Sequence, residues 1–292
     1  MRILIFGGNG LVGSKFIDLF KDVLEIKAPR AKVIDILNKD QVSKTVEDFN
    51  PDSVINFAAY TNVEEAENQN RDTKGIAYQI NVVGAKNVAE ACKVADKHLI
   101  YISTEYVFDG TKEDCPYNEE DKPNPINWYG QTKYYGEQQV LASGTKFVIA
   151  RISMPYSSFY AQKKDVVRFF LEKLQNKEEV RAIEDQKITP TLVDDISYAL
   201  KTLIEENSEG IYHISAKDST TPLDFVKTII QTFGLDYSLV KPMKLKEYNQ
   251  NKKAKLLKNS WLSPAKFAKE FGEEVLHTVD EEIILFKNQM QD

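Results

Sequence analysis

The chain has 292 residues, of which 38 are Lys or Arg and 44 are Asp or Glu, and its formal net charge is −6 at pH 7. This acidic balance argues against broad nucleic-acid binding, because a phosphate backbone attracts a basic surface. No apolar run approaches the roughly 18 residues that a membrane helix needs, so we expect neither a membrane span nor a secretory signal. Cys92, Cys115 and the three histidines are scattered, and we therefore expect no metal site, no disulfide and a cytoplasmic location.

The first two-thirds of the chain alternates short β-branched runs with amphipathic stretches. This alternation is typical of a parallel sheet covered by helices on both faces, and it predicts a Rossmann-type, doubly wound α/β fold. The predicted strands are residues 2–6, 24–28, 53–58, 99–103, 147–152 and 211–214. The predicted helices are residues 11–20, 40–49, 77–95, 129–141, 165–176, 222–233 and 264–271.

Beyond Ile152 the regular alternation breaks and prolines become frequent. This change predicts a Rossmann-type domain over residues 1–153 and a smaller, C-terminal substrate domain over residues 154–292. The run at 210–215 follows a glycine break and again has strand character. We therefore expect residues 191–215 to return to the first domain.

A glycine-rich turn joins the first predicted strand to the first predicted helix, where the sequence reads GGNGLVG. Such a turn lets backbone N–H groups approach a pyrophosphate, and the helix N-terminus adds a partial positive charge. In this interpretation Gly7 makes the turn, Gly10 admits the phosphates, and Gly13 lets the helix lie close to the sheet. The predicted dinucleotide site comprises Gly7, Gly10, Leu11, Val12 and Gly13.

The end of the second predicted strand indicates which dinucleotide binds. Residues 28–32 read APRAK, and the first acid after them is Asp35. An acid at this strand end would bind the ribose 2′-hydroxyl of NAD, whereas a cation suits the 2′-phosphate of NADP. We therefore predict NADP as the cofactor, with NADPH preferred over NADH. Arg30 is the predicted contact to the 2′-phosphate, and Lys32 is a weaker candidate.

Tyr129 and Lys133 lie four residues apart at the start of a predicted helix, which places both side chains on one helix face. A tyrosine hydroxyl is a poor acid-base catalyst at neutral pH unless a neighbouring ammonium group favours its phenolate. An earlier predicted strand ends in Ser103 and Thr104, whose hydroxyls could hydrogen-bond a carbonyl oxygen. Together these groups predict proton transfer to a carbonyl while a nicotinamide donates hydride.

The order of these motifs resembles the extended short-chain dehydrogenases/reductases, with a GxxGxxG loop, a Ser-Thr strand end and a YxxxK helix. Longer segments are closer to the dTDP-4-dehydrorhamnose reductase family. They are residues 56–67, the STEYVFDG stretch at 103–110, and YGQTK at 129–133 followed by Gly136 and Glu137. The resemblance covers nearly the whole chain.

The resemblance implies an NADPH-dependent reductase of a nucleotide-linked 4-keto-6-deoxy sugar. It implies that the catalytic set consists of Thr104, Tyr129 and Lys133, with Tyr129 as the proton donor. Further cofactor contacts would be Asp35, Ile36, Ala58, Ala59, Tyr60, Tyr129 and Lys133. The sugar would be bordered by Val63, Glu64, Thr104, Tyr106, Phe108 and Met154. The expected partner is the nucleotide-sugar substrate, and the resemblance is compatible with a homodimer.

Three places depart from the family pattern. Met154 stands where an aromatic residue is expected against the sugar, and Lys258 with Asn259 replaces an Arg-Pro pair. Lys15 stands where an acid implicated in a metal-bridged dimer is common. These departures leave two alternatives open. One is a reductase or epimerase of another nucleotide sugar, and the other is a non-catalytic regulatory subunit like that of methionine adenosyltransferase.

Overall fold

A computed structural model describes residues 1–159 and 164–291. Residues 160–163 and 292, which belong to the predicted substrate domain, lie outside the described residues. The strands are β1 (Arg2–Phe6), β2 (Glu25–Lys27), β3 (Ser53–Asn56), β4 (His98–Thr104), β5 (Phe147–Ile152), β6 (Pro155–Tyr156), β7 (Val180–Ile183), β8 (Thr191–Leu192), β9 (Gly210–Ile214) and β10 (Val240–Met243).

Helices pack around these strands. They are α1 (Leu11–Phe20), α2 (Lys39–Phe49), α3 (Val63–Glu67), α4 (Ile76–Tyr78), α5 (Ala85–Val94), α6 (Trp128–Ser143), α7 (Val166–Gln175), α8 (Val193–Glu205), α9 (Pro222–Phe233), α10 (Leu245–Gln250), α11 (Ala265–Phe271) and α12 (Val279–Gln289). Within the described ranges, none of them has the length and apolar character that crossing a bilayer requires.

Six strands form one parallel sheet in the order β2-β1-β3-β4-β5-β9. β1 pairs with β2 on one side and with β3 on the other, so the direction in which the chain adds strands reverses at β1. In open α/β sheets, ligands bind at the carboxyl ends of the strands beside such a reversal. The fold is the predicted Rossmann-type, doubly wound sheet, and the topology places the site beside β1 and β3.

Successive residues of a strand point to opposite faces of the sheet, so the apolar strands present two faces that must be buried. Helices cover both of these faces. Ile3 and Ile5 of β1 pack in the hydrophobic cluster that contains α1 and α8. Leu4 and Phe6 pack in the cluster that contains α2 and α5. Burial on both faces explains why the strands read as continuous apolar runs.

A second hydrophobic core lies apart from the six-stranded sheet. It is formed by α7, α9 and α12 together with short strands, and it buries Phe170, Phe225 and Phe286. β6 pairs with β8, and β7 pairs with β10, both in parallel. Since β6 follows β5 closely and β8 leads directly into α8, this core joins the sheet at the carboxyl end of β5.

A π-helical turn, Gln79–Gly84, connects α4 to α5. The prediction of one regular helix over residues 77–95 is wrong here. The wider turn contains Asn81, whose side-chain oxygen accepts the N–H of Tyr60 at 2.8 Å and whose amide donates to the Tyr60 carbonyl at 3.2 Å. The turn therefore fixes the segment that follows β3, in keeping with the tendency of π turns to occur near functional sites.

Candidate active site

A cavity of about 460 Å³ lies where the sheet topology places a ligand, beside the carboxyl ends of the central strands. Its wall includes the turn before α1, the end of β4, the start of α6 and the residues after β5. The predicted site residues on this wall are Gly10, Leu11, Val12, Gly13, Ala59, Val63, Thr104, Tyr106, Tyr129, Lys133 and Met154. All three residues of the predicted catalytic set therefore share one cavity with the glycine turn.

Close packing requires glycine at two positions of this turn. Gly7 has φ of 80°, which favours glycine, and a Cβ there would lie 2.4 Å from the backbone nitrogen of Ala58. At Gly13 a Cβ would lie 2.9 Å from both the Gly7 oxygen and the Gly8 Cα. The glycines thus let α1 start directly against the turn and the segment after β3.

The first turn of α1 is suited to an anion. The helix begins at Leu11, no side chain of the N-cap residue Gly10 occupies its first N–H groups, and its first turn carries no acid. Free N–H groups and the helix dipole both attract a phosphate. On the same wall, the Ser103 hydroxyl is buried and has no hydrogen-bond partner among the described residues. This donor set fits a phosphate-bearing dinucleotide such as NADP.

At the carboxyl end of β4, hydrogen bonds link three polar side chains. The Thr104 hydroxyl donates to the Glu105 carboxylate, with Oγ1 and Oε2 2.6 Å apart, and accepts the N–H of Tyr106 at 3.3 Å. The Tyr129 hydroxyl lies within hydrogen-bonding reach of Thr104. Thr104 therefore connects the tyrosine to the carboxyl group.

Glu105 lines the cavity although the sequence analysis did not select it. It is only 5% exposed, and burial raises the pKa of its carboxyl group to about 7, against the opposing effect of the Thr104 hydrogen bond. Near neutral pH the group is therefore close to the midpoint of its titration. An acid directly after the predicted strand end was the signal that could have found it.

The Lys133 ammonium group is directed toward β4 and not toward the Tyr129 hydroxyl. It donates to the Tyr101 hydroxyl at 3.0 Å and to the Ile102 carbonyl at 2.7 Å, and burial lowers its pKa to about 7. Burial raises the pKa of Tyr129, and the Glu105 carboxylate raises it further. The geometry gives no support to the expectation that this ammonium group favours a phenolate. Tyr129 therefore keeps its proton at neutral pH.

Two predicted substrate contacts lie elsewhere. Phe108 is fully buried and stacks on Tyr117, with ring centroids 4.2 Å apart, so it belongs to a core cluster. The Glu64 carboxylate accepts the backbone N–H groups of Lys253 at 3.0 Å and Ala254 at 3.3 Å. The geometry therefore gives no support to a direct sugar contact by Phe108 or Glu64.

The remaining cofactor candidates lie behind the cavity wall or in the segments after β2 and β3. They are Gly7, Arg30, Asp35, Ile36, Ala58 and Tyr60. Arg30 is exposed. The Asp35 carboxylate accepts the N–H of Leu37 at 2.9 Å, which shapes its own turn. Their contacts with a cofactor stay predictions.

Met154 follows β5, separated from its last residue by Ser153, and it lines the cavity. Its φ of 38° lies in the left-handed region, which a non-glycine residue rarely adopts. Backbone strain of this kind is often found at functional sites. The hydroxyl candidate Ser103 also lines the cavity. The wall residues that the sequence analysis did not select are Phe57, Thr61, Ile102, Glu105, Ile152, Pro155, Lys164 and Asp165.

Comparisons with known proteins agree with this architecture. A family model described as the RmlD substrate binding domain matches residues 1–283. A dTDP-4-dehydrorhamnose reductase of Mycolicibacterium smegmatis is 33% identical over 243 residues, which cover 82% of this chain and 72% of that protein. Methionine adenosyltransferase 2 subunit beta of Bos taurus is 29% identical over 256 residues, which cover 83% of this chain and 75% of that protein.

A crystal structure of dTDP-4-dehydrorhamnose reductase from Bacillus anthracis in complex with NADP is 31% identical and superposes with a TM-score of 0.90 over 99% of each chain. This likeness extends over the sheet and the second core. It agrees with the family match, which also spans both. The chain therefore belongs to the RmlD substrate-binding domain family.

Proposed function

We propose that this chain catalyses the NADPH-dependent reduction of a nucleotide-linked 4-keto-6-deoxy sugar, in the manner of a dTDP-4-dehydrorhamnose reductase. The observation that carries the proposal is the convergence of Thr104, Tyr129 and Lys133 on the cavity that contains the first turn of α1. A relative with that name, and a similar structure determined with NADP, support the activity and the cofactor.

The N–H groups of Leu11 to Gly13 would hold the pyrophosphate, and Arg30 would contact the 2′-phosphate. When bound, the reduced nicotinamide supplies a hydride to the carbonyl carbon of the sugar. The protein must then supply one proton to the carbonyl oxygen, so that the ketone becomes an alcohol.

Tyr129 is the proton donor in this proposal. Its raised pKa keeps the hydroxyl protonated until negative charge develops on an oxygen beside it. The Thr104 hydroxyl is fixed by its bonds to Glu105 and to the Tyr106 N–H and would position Tyr129. Its one proton becomes free to stabilise the developing charge when the Glu105 carboxyl group is protonated and acts as the donor in their hydrogen bond. The Lys133 ammonium group, which is held against β4 on the same wall, would contact the cofactor.

The sugar would lie against Val63, Tyr106 and Met154. The Tyr106 ring meets the Tyr129 ring edge to face, with centroids 5.5 Å apart, so it limits the rotation of the donor. Met154 offers a flexible thioether in place of a flat ring. This difference favours a second candidate function, the reduction or epimerisation of another nucleotide sugar.

The proposal places the protein in the cytoplasm, with a nucleotide sugar as its partner. Cys92 is a buried free thiol and Cys115 is an exposed free thiol. An exposed free thiol is typical of a reducing compartment. A homodimer stays a prediction.

The test is NADPH oxidation by the purified protein with a dTDP-4-keto-6-deoxyhexose. We expect turnover by the wild type and a loss of about 100-fold or more in kcat for Tyr129→Phe, because the proton donor is removed. The Kd for NADPH should change far less than kcat, because the contacts of the pyrophosphate with the first turn of α1 remain. Tyr135→Phe is a matched control on the same helix, since Tyr135 is exposed, and it should keep full activity.

Two other results would redirect the proposal. Tight NADPH binding without turnover of any of a panel of keto-sugar nucleotides would favour the regulatory-subunit alternative. Turnover of a different nucleotide sugar, with the dTDP-4-keto-6-deoxyhexose unreactive, would favour the second candidate function.

A further inference from the structure

The Lys133 ammonium group is held by two neighbouring residues of β4. Besides its bonds to the Tyr101 hydroxyl and the Ile102 carbonyl, its Nζ lies 4.3 Å from the centroid of the Tyr101 ring. Lys133 is 2% exposed. An ammonium group has three N–H donors, so two are used at β4 and one is left for the cavity that Lys133 lines.

The orientation of the Tyr101 hydroxyl is itself fixed. Tyr101 is fully buried, and its hydroxyl donates to the carbonyl of Asn81 in the π-helical turn, 3.3 Å away. Because its proton is used there, its lone pairs face Lys133 as acceptors. At Gly136 a Cβ would lie 2.2 Å from the Tyr101 hydroxyl oxygen and 2.3 Å from the Asn81 oxygen. Glycine at 136 therefore lets β4, the π turn and α6 meet at this hydroxyl.

We propose that Tyr101 is the positioning residue for Lys133: its hydroxyl and ring hold the ammonium group so that one N–H is presented to the cavity. The inference rests on the proposed function for the role of Lys133, and it extends that function to a residue outside the cavity wall. Without the hydroxyl, the buried cation loses one of its two oxygen acceptors and its charged form becomes less favourable.

The other charged or titratable groups near Lys133 do not replace Tyr101. Glu137, one turn further along α6, favours the charged lysine, but its carboxylate is bound by the Arg151 guanidinium through contacts of 2.8 and 3.0 Å. Tyr129 lies one turn earlier, and its hydroxyl is within reach of Thr104. Tyr101 thus supplies the neutral side-chain acceptor that keeps the ammonium group in place.

The experiment measures the ionisation of Lys133 in the cofactor-free protein. Lysine is labelled with ¹³C at Cε, the Lys133 signal is assigned by its loss in Lys133→Met, and its NMR shift is titrated with pH. Tyr101→Phe keeps the ring and removes the hydroxyl, and we expect the titration midpoint to fall by about one pH unit. Tyr212→Phe is the matched control: its hydroxyl binds Glu270, away from the cavity, and the midpoint should not move.

Gly136→Ala disturbs the contact between Tyr101 and Lys133 from the side of α6, and it should also lower the titration midpoint of Lys133. This variant provides the test if Tyr101→Phe does not fold. An unchanged midpoint in a variant with native circular dichroism would overturn the proposal. In NADPH oxidation, the alkaline limb of the kcat/KM profile should move to lower pH by the same amount as the midpoint. A shifted midpoint in a protein that reduces no keto sugar would support the positioning role and refute the proposed function.

Discussion

Glu105 is a carboxyl group placed where water has little access. Burial raises its pKa from 4.5 to about 7, while the donors that face it, the Thr104 and Ser153 hydroxyls and the Met154 N–H, oppose the change. Between these two pH values the folded protein binds a proton that the unfolded chain has released. The free energy of unfolding therefore falls as the pH rises through this interval.

We expect Glu105→Gln, which keeps the size of the side chain, to remove this dependence. Relative to the variant, the wild type should lose stability as the pH rises from 4.5 to about 7. The full difference is on the order of 3 kcal/mol. Urea denaturation at a series of pH values measures it, and parallel curves for the two proteins would show that Glu105 titrates normally.

Arg30 is the residue on which the choice of cofactor depends. The predicted contact is a charge-assisted hydrogen bond to the 2′-phosphate, so Arg30→Ala should raise the KM for NADPH by roughly tenfold or more. NADH lacks this phosphate and is the internal control, with an unchanged KM. Equal effects on both cofactors, or none on either, would remove Arg30 from the site.

At the level of elements, α9 shows how end signals in the sequence can fix the bounds of a helix. α9 begins and ends at the predicted residues, because Thr221 caps it, Pro222 starts it and Gly234 follows it with a positive φ. α3, α8, α10 and α12 were not predicted. α12 nevertheless carries a capping box formed by Thr278 and Glu281, which is a signal that sequence analysis can use.

The site was predictable only in part, because some of its geometry depends on contacts between elements that are distant in sequence. A spacing of four residues places Tyr129 and Lys133 on one helix face, and both line the cavity. The direction of the ammonium group depends instead on Tyr101 and on a π turn far from it in sequence. Local periodicity contains no information about such a junction, whereas the glycine turn is encoded within a single segment.

The contact between α1 and its preceding turn can be tested at Gly13. Gly13→Ala would bring a Cβ to 2.9 Å from the Gly7 oxygen, so the helix start must move. We expect the Kd for NADPH to rise roughly tenfold or more, which corresponds to about 1.4 kcal/mol. Fluorescence titration measures this change. Ser14→Ala, at the next helical position, is the control, and an unchanged Kd for Gly13→Ala would contradict the packing argument.

At the scale of the whole molecule, Glu64 connects distant parts of the chain. Its hydrogen bonds to the N–H groups of Lys253 and Ala254 hold residues 253–254 against α3. The Lys253 N–H lowers the pKa of this carboxylate most, and the charges of Lys252 and Lys253 also lower it. The carboxylate is therefore ionised at neutral pH and remains an acceptor.

Glu64→Ala should free this segment, and trypsin should then cleave after Lys252, Lys253 and Lys255 faster than in the wild type. Glu205→Ala is the control, because the Glu205 carboxylate accepts from the side chain of Lys201 on its own helix. Mass spectrometry of timed digests gives the cleavage rates. Equal rates in all three proteins would mean that Glu64 does not restrain the segment.

The sheet depends on a strand that comes late in the chain. β9 pairs with β5 from Val148 opposite Gly210 to Ile152 opposite Ile214, although the division of the chain at residue 153 stays a prediction. A fragment that stopped there would leave β5 as a bare, apolar edge, open to pairing with other molecules and to aggregation. Evolution could therefore enlarge or exchange the segments inserted between β5 and β9, but it had to keep β9 itself to cover the edge of β5.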